Sequence, residues 1–237
     1  MDLPIFNDNL KSSASWADLL ASERELWDKA RRSADGGGAG AQQEARTRRE
    51  QVEHALRRGG PGINRQRLLE AAESVSGWAA DPEAKLSVGR LLDLHRVVIG
   101  AGPGADILRK TEPAPIVAPH EPAPALILPR MLDNAFDWFD TDSFGDLHPV
   151  ERAAVVYLRL LDLHPFSSHT ETTATLAAGF YTERAGLPPL VIFADDPTQA
   201  RYARALEAAF RMLTQPLVEL FAEMLARTMR IGLGAEQ

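Results

Sequence analysis

Cysteine is absent from the 237 residues. That excludes disulfides and thiolate chemistry and leaves histidine and carboxylate to hold any metal. Long apolar runs are missing as well. The longest, residues 153–163, is interrupted by Arg159 and Asp162 and falls short of a membrane span. The start, Met1-Asp2-Leu3-Pro4-Ile5, has neither the basic residues nor the apolar stretch of a signal peptide. A soluble, cytoplasmic protein with no membrane partner is expected. Positive charge is in deficit, with 26 Lys and Arg against 33 Asp and Glu and a net charge of -7, which argues against a general nucleic-acid binder. What the chain does have is a hydrophobic fraction of 45%, enough for a sizeable core.

Helical periodicity runs through most of the sequence. Trp16, Leu19, Leu20 and Trp27 recur at helical spacing over residues 12–32. Asp35-Gly36-Gly37-Gly38-Ala39-Gly40 reads as a flexible linker, and residues 42–58 are so charged that a solvated helix is the most they predict. Gly59-Gly60-Pro61-Gly62 breaks the pattern, which divides the chain into an N-terminal helical extension over 1–60 and a main domain over 61–237. Within the latter, helices are expected over 64–75, 86–99, 131–139, 153–163, 172–184, 197–212 and 216–229. His148-Pro149-Val150-Glu151 opens the helix that leads into 153–163, with proline at a first-turn position it tolerates. Leu217, Leu220, Phe221, Met224 and Leu225 form one buried stripe on the last helix. Residues 100–129 are dense in proline, which forbids an interior helix; Ile116-Val117 and Leu126-Ile127-Leu128 are its extended pieces, predicting a short irregular β-hairpin. The fold class is all-α with one proline-rich hairpin.

Between two of these helices lies His164-Pro165-Phe166-Ser167-Ser168-His169-Thr170-Glu171, a loop feeding a helix N-terminus. It resembles the opening of the Fic family motif, His-x-Phe-x-(Asp/Glu)-Gly-Asn-(Gly/Lys)-Arg-x-x-Arg. The resemblance extends over roughly residues 64–230, through Leu91-Leu92-Asp93-Leu94-His95, the stretch 109–128 in place of the family's flap hairpin, His148 to Ala154, and Arg184-Ala185-Gly186-Leu187-Pro188-Pro189-Leu190. It implies a Fic-like helical bundle and an ancestral transfer of AMP from ATP to a protein hydroxyl. His164 matches the family's catalytic base and Phe166 its packing anchor. The magnesium-holding acid is replaced by Ser168, the Gly-Asn-Gly run by His169, Thr170 and Glu171, and the two arginines by Thr172 and Thr175. Ser168, Thr170 and Thr172 thus stand where a cofactor's metal and phosphates would sit, and their hydroxyls can also cap the next helix.

These replacements remove the metal's carboxylate and a bidentate phosphate contact, and they put Glu171 where phosphates would lie. At an effective dielectric of about 20, two like charges about 4 Å apart repel by about 4 kcal/mol, so ATP with magnesium is not expected to bind. Three readings stay open. The first is an enzyme with repurposed chemistry on His164, in which His164, His169 and Glu171 form a two-imidazole, one-carboxylate set suited to Fe, Zn or Mn. The second is a non-catalytic module that docks a protein or peptide on the flap edge. The third is residual nucleotidyl transfer. A small-molecule substrate is compatible with the first. His95 and Asp162 read more simply as a core-edge histidine and a solvated helix-end carboxylate. Ala72-Glu73-Ser74-Val75-Ser76-Gly77 is a poor match to the family's inhibitory segment, with Ser76 in place of its glutamate.

Overall fold

The computed structural model describes residues 14–33, 39–116 and 120–235. Among them are ten α-helices and no strand. At the centre is α7 (Pro149–Leu163), buried on every side as its nearly continuous apolar sequence predicts. It starts at a capping box: the Glu151 carboxylate accepts from the His148 amide at 2.7 Å, and the His148 ring accepts from the Val150 amide at 3.3 Å. α8 (Thr170–Arg184) packs along α7 and is covered on its other side by α3 (Arg65–Ala80) and α4 (Val88–Ile99). Such a position suits α8, which has small residues, Ala174, Ala177, Ala178 and Gly179, where it meets its neighbours.

α5 (Leu128–Phe139) and the one-turn α6 (Asp142–Gly145) close one side through the aromatic cluster of Phe136, Phe139, Trp138 and Phe144. α9 (Asp196–Phe210) and α10 (Gln215–Leu233) close the other, and the expected stripe from Leu217 to Leu225 is buried. None of the described helices is long and apolar enough to cross a membrane.

The N-terminal helices join this body. α1 (Ala14–Ser33) lays Trp16, Leu20 and Trp27 into the common core, while Leu19 stays 36% exposed. α2 (Ala39–Arg58) departs from expectation. Ala39 and Gly40 belong to this helix rather than to a linker, and residues 34–38 lie outside the described residues. Far from being only solvated, α2 buries Gln43, Thr47, Gln51, Val52 and His54. Apolar periodicity could not reveal this, because the contact is made by hydrogen bonds. The Ala194 amide donates to His54 at 2.9 Å, and Gln51 donates to the Leu190 carbonyl at 3.4 Å.

The proline-rich segment corrects a second expectation. Ala125–Ile127 is a turn of 3-10 helix running into α5, so Leu126-Ile127-Leu128 is not extended. Among the described residues of this segment the only β contact is an isolated antiparallel bridge from Leu108 to Phe166, and Val117 lies outside them. Proline withholds the amides that a hairpin ladder requires.

Two measurements check this packing. Gly232 lies where α1, α2 and α10 meet, and an added Cβ would stand 2.6 Å from the Trp27 ring and 3.0 Å from Thr47. Gly232→Ala should therefore lower the denaturant-derived stability by about 1–3 kcal/mol. His95, 1% exposed and bonded through Nδ1 to the Thr173 hydroxyl at 2.8 Å, is pushed by burial down to about 3 from the ordinary 6.5. Burial acts in the same direction on His54, His148 and His164. The unfolded chain takes up these protons first, so stability is full above about pH 6.5 and falls as the pH drops toward 3. Each such proton contributes a slope of about 1.4 kcal/mol per pH unit. Urea midpoints at pH 7 and pH 5 read this slope, and His95→Gln should flatten it.

Candidate functional site

The site is built by how the chain leaves α7 and enters α8. His164 closes α7 in the left-handed region (φ 44°), its amide bonded to the Leu160 carbonyl at 3.0 Å. His169 precedes α8 in the same region (φ 53°). Left-handed backbone costs a residue with a Cβ roughly 1 kcal/mol, and two such residues five positions apart mark a loop held by its surroundings. Phe166 supplies part of that hold. It is 1% exposed and stacks on the His95 ring, 3.6 Å between centroids and 4° between planes. The Thr170 hydroxyl donates to the Phe166 carbonyl at 3.2 Å.

A cavity of about 270 Å³ opens at this corner. His164, His169, Thr170, Glu171, Thr172 and Thr175 line one side, and Gln51, Ala55, Arg58 and Gly59 of α2 and its end face them. Leu176, Leu190, Val191 and Ile192 make an apolar floor, with Ile116 at the rim. Residues 190–193 are buried without regular structure. The apolar run Leu190-Val191-Ile192-Phe193 was a visible signal for a buried segment, though not for its place in the site.

The expected site residues separate here. His164, Thr170, Thr172, His169 and Glu171 share the cavity, whereas Ser168 is exposed and not part of its lining. None of Ser168, Thr170 and Thr172 caps α8. The N-cap is His169, and its left-handed turn sends the ring to the Gly59 carbonyl, 3.0 Å from Nδ1. The α8 start therefore has no side-chain cap. Among the described residues no three of His, Asp and Glu come close enough to hold a metal ion. The set of His164, His169 and Glu171 does not converge, because His169 is turned to Gly59 and Glu171 is drawn to Arg58.

Arg58, which sequence reading did not single out, changes the electrostatics of the pocket. Its guanidinium pairs with Glu171, bonds Gln199 and lies 4.5 Å from the centroid of the Tyr202 ring. Tyr202 in turn shares a 2.6 Å hydrogen bond with Tyr157, both buried. Glu171 is thus not the isolated negative charge that its place in the motif suggested. No local pattern around Arg58 distinguishes it from the other arginines of α2; only the packing of α2 brings it here.

The His164 imidazole is pushed below its ordinary range by burial and by the Arg109 guanidinium. It is therefore held neutral, and its buried Nδ1 has no hydrogen-bond partner among the described residues. His95 is structural, as expected. Asp162 is engaged by Arg159 and lies 3.1 Å from His120, outside the cavity lining. Ser76 bonds Arg48 and Glu183, also outside it.

Residues 85–182 match the Fic/DOC family. Among curated proteins, the chain is similar to the protein adenylyltransferase fic-1 of Caenorhabditis briggsae, 27% identical over 152 residues, which cover 64% of this chain and 29% of that protein. The match with the protein adenylyltransferase Fic of Nematostella vectensis is 26% over 161 residues, 68% of this chain and 37% of the relative. The chain spans about a third of the length of these relatives. Among solved structures, a single-substitution variant of a C. elegans Fic-1 fragment superposes with a TM-score of 0.73 at 22% identity, over 94% of this chain and 73% of that one. IbpAFic2 covalently tethered to Cdc42 superposes at 0.56 and 18% identity, over 78% and 62%. The fold, the matched segment and the His164 loop agree: residues 85–182 are similar to the Fic/DOC family, and the chain has the fold of the solved Fic structures it superposes on.

Proposed function

We propose that the chain is an enzyme of the Fic lineage in which His164 is kept as a general base toward a hydroxyl, while the phosphate-handling half of the site has been rebuilt for a donor other than ATP with magnesium. The observation that carries this reading is His164 itself: a neutral imidazole on a cavity wall, in a left-handed conformation that the surrounding loop enforces. A base must be unprotonated and within reach of the proton it takes, and burial beside Arg109 favours the unprotonated ring at neutral pH. The donor side supports the departure from ATP. Arg58 and Glu171 neutralise one another, no metal set stands beside them, and the floor is apolar. A triphosphate in that space would lack both the cation clamp and the metal that phosphoryl chemistry relies on. The acceptor is a protein hydroxyl by analogy with relatives named as protein adenylyltransferases and with the Cdc42-tethered neighbour.

A second reading is a binding module without chemistry. The Arg58–Glu171 pair at the mouth of α8 favours it, because it occupies the place where a donor's charge would be received.

Mass spectrometry of a protein extract incubated with the wild type or with His164→Ala tests the proposal. Mass increments on Ser, Thr or Tyr that need His164 are expected, and the added mass identifies the donor; a complete absence of His164-dependent increments favours the module. Calorimetric titration with ATP and magnesium should show no binding tighter than about 1 mM. A micromolar constant lost in His164→Ala would restore the nucleotidyl-transfer reading.

The ion pair gives its own prediction. Arg58→Ala should lower stability by about 1–2 kcal/mol, since it leaves a half-exposed carboxylate unpaired and bares the Tyr202 ring. Glu171→Gln should lower it less, because Arg58 keeps Tyr202 and Gln199. A double-mutant cycle on urea unfolding measures the coupling between them.

A further inference from the structure

Arg109 leaves the proline-rich segment and is buried to 2% exposure, yet it does not line the cavity, and its charge beside His164 does not account for its hydrogen bonds. A guanidinium has five N–H donors, and here each of the five has an acceptor. Nε donates to the His164 carbonyl at 2.7 Å, and Nη2 to the carbonyls of Leu163, at 3.3 Å, and of Ala123. Nη1 donates to the Thr111 carbonyl at 3.1 Å and to the Glu112 carboxylate at 2.9 Å. The Arg109 amide also donates to the Pro165 carbonyl at 2.9 Å. Four bonds thus fall on Leu163, His164 and Pro165 or run back to the loop base at Ala123, around the residue whose left-handed backbone most needs holding. The other oxygen of Glu112 accepts from the Ala125 amide at 2.9 Å, closing the base of the loop.

We propose that Arg109 is a positioning residue for His164: its fork clamps the last carbonyls of α7, keeps His164 in the left-handed turn, and makes the base of the loop, at 109–112 and 123–125, move with the histidine. The proposal rests on the reading of His164 as the base. A fork of five donors spread over a plane does this where a point-like ammonium cannot, because the acceptors lie on both sides of the clamp. The ionisable groups around His164 are Arg109 from the loop, His169 and Glu171 on the α8 side and Arg58 from α2. Of these, Arg109 is the one bonded to its backbone.

Long-range proton–nitrogen NMR spectra of the histidine rings, recorded at one fixed pH, test this. Arg109→Met and Arg109→Lys should displace or split the His164 ring signals, assigned by their loss in His164→Ala. The signal of His148, at the opposite end of α7, should stay where it is. A purely structural role would move none of the rings selectively or all of them together. Arg109→Met removes a buried cation and puts folding at risk; Arg109→Lys and Glu112→Ala, the latter at a side chain 62% exposed, keep the test open. Glu112→Ala should displace the His164 signals in the same direction by a smaller amount. Superimposable His164 signals in folded Arg109→Lys, or in Glu112→Ala, would overturn the proposal. Protein modification that survives His164→Ala would remove the base reading and leave the clamp standing, whereas modification lost in His164→Ala with unmoved ring signals in the Arg109 and Glu112 variants would remove only the clamp.

Discussion

Phe166 is buried between α4 and the start of α8, its ring flat against His95, while the His95 Nδ1 reaches Thr173 on α8. This stack pins the middle of the loop to the core. The two residues that face the cavity, His164 before it and His169 after it, are then obliged to turn through left-handed backbone to join helices already fixed by packing. The position of every group at the corner follows from that constraint. The imidazole of His95 can serve only as a neutral wedge, because burial of a charge there would be far costlier than the stacking is favourable.

The electrostatics of the corner come from elements remote in sequence. Arg58 on α2 neutralises Glu171 at the α8 start, and Arg109 beside α7 biases His164 toward its neutral form. A carboxylate in the first turn of a helix is favoured by the helix dipole, so Glu171 sits well at the α8 start as well as beside Arg58. The pocket is consequently balanced in charge and apolar at its base.

The replacements in the motif also show which residues the fold needs. Phe166 is an anchor and is retained. Positions Thr172 and Thr175 are small hydroxyls that disturb no packing; the Thr175 hydroxyl folds back on the Glu171 carbonyl at 2.9 Å. Thr172 and Thr175 line a cavity, and a cavity wall tolerates changes that a close-packed interior does not.

The sequence by itself determined the all-α class, the burial of α7 and the opening of that helix at His148-Pro149, since each depends on residues within one or two turns of each other. It misjudged what depends on partners. α2 reads as solvated because its buried face is made of Gln51, His54 and Thr47, which become acceptable in a core only when Leu190 and Ala194 arrive to bond the first two. Leu126 and Ile127, expected to be extended, join a 3-10 turn, and the metal set does not converge where Arg58 and Gly59 engage Glu171 and His169. Hydrophobic spacing and local capping are written in short stretches of chain. Charge pairing and hydrogen bonding between segments more than a hundred residues apart are decided only when packing brings them together, since a polar group's partner has no signature in its own neighbourhood.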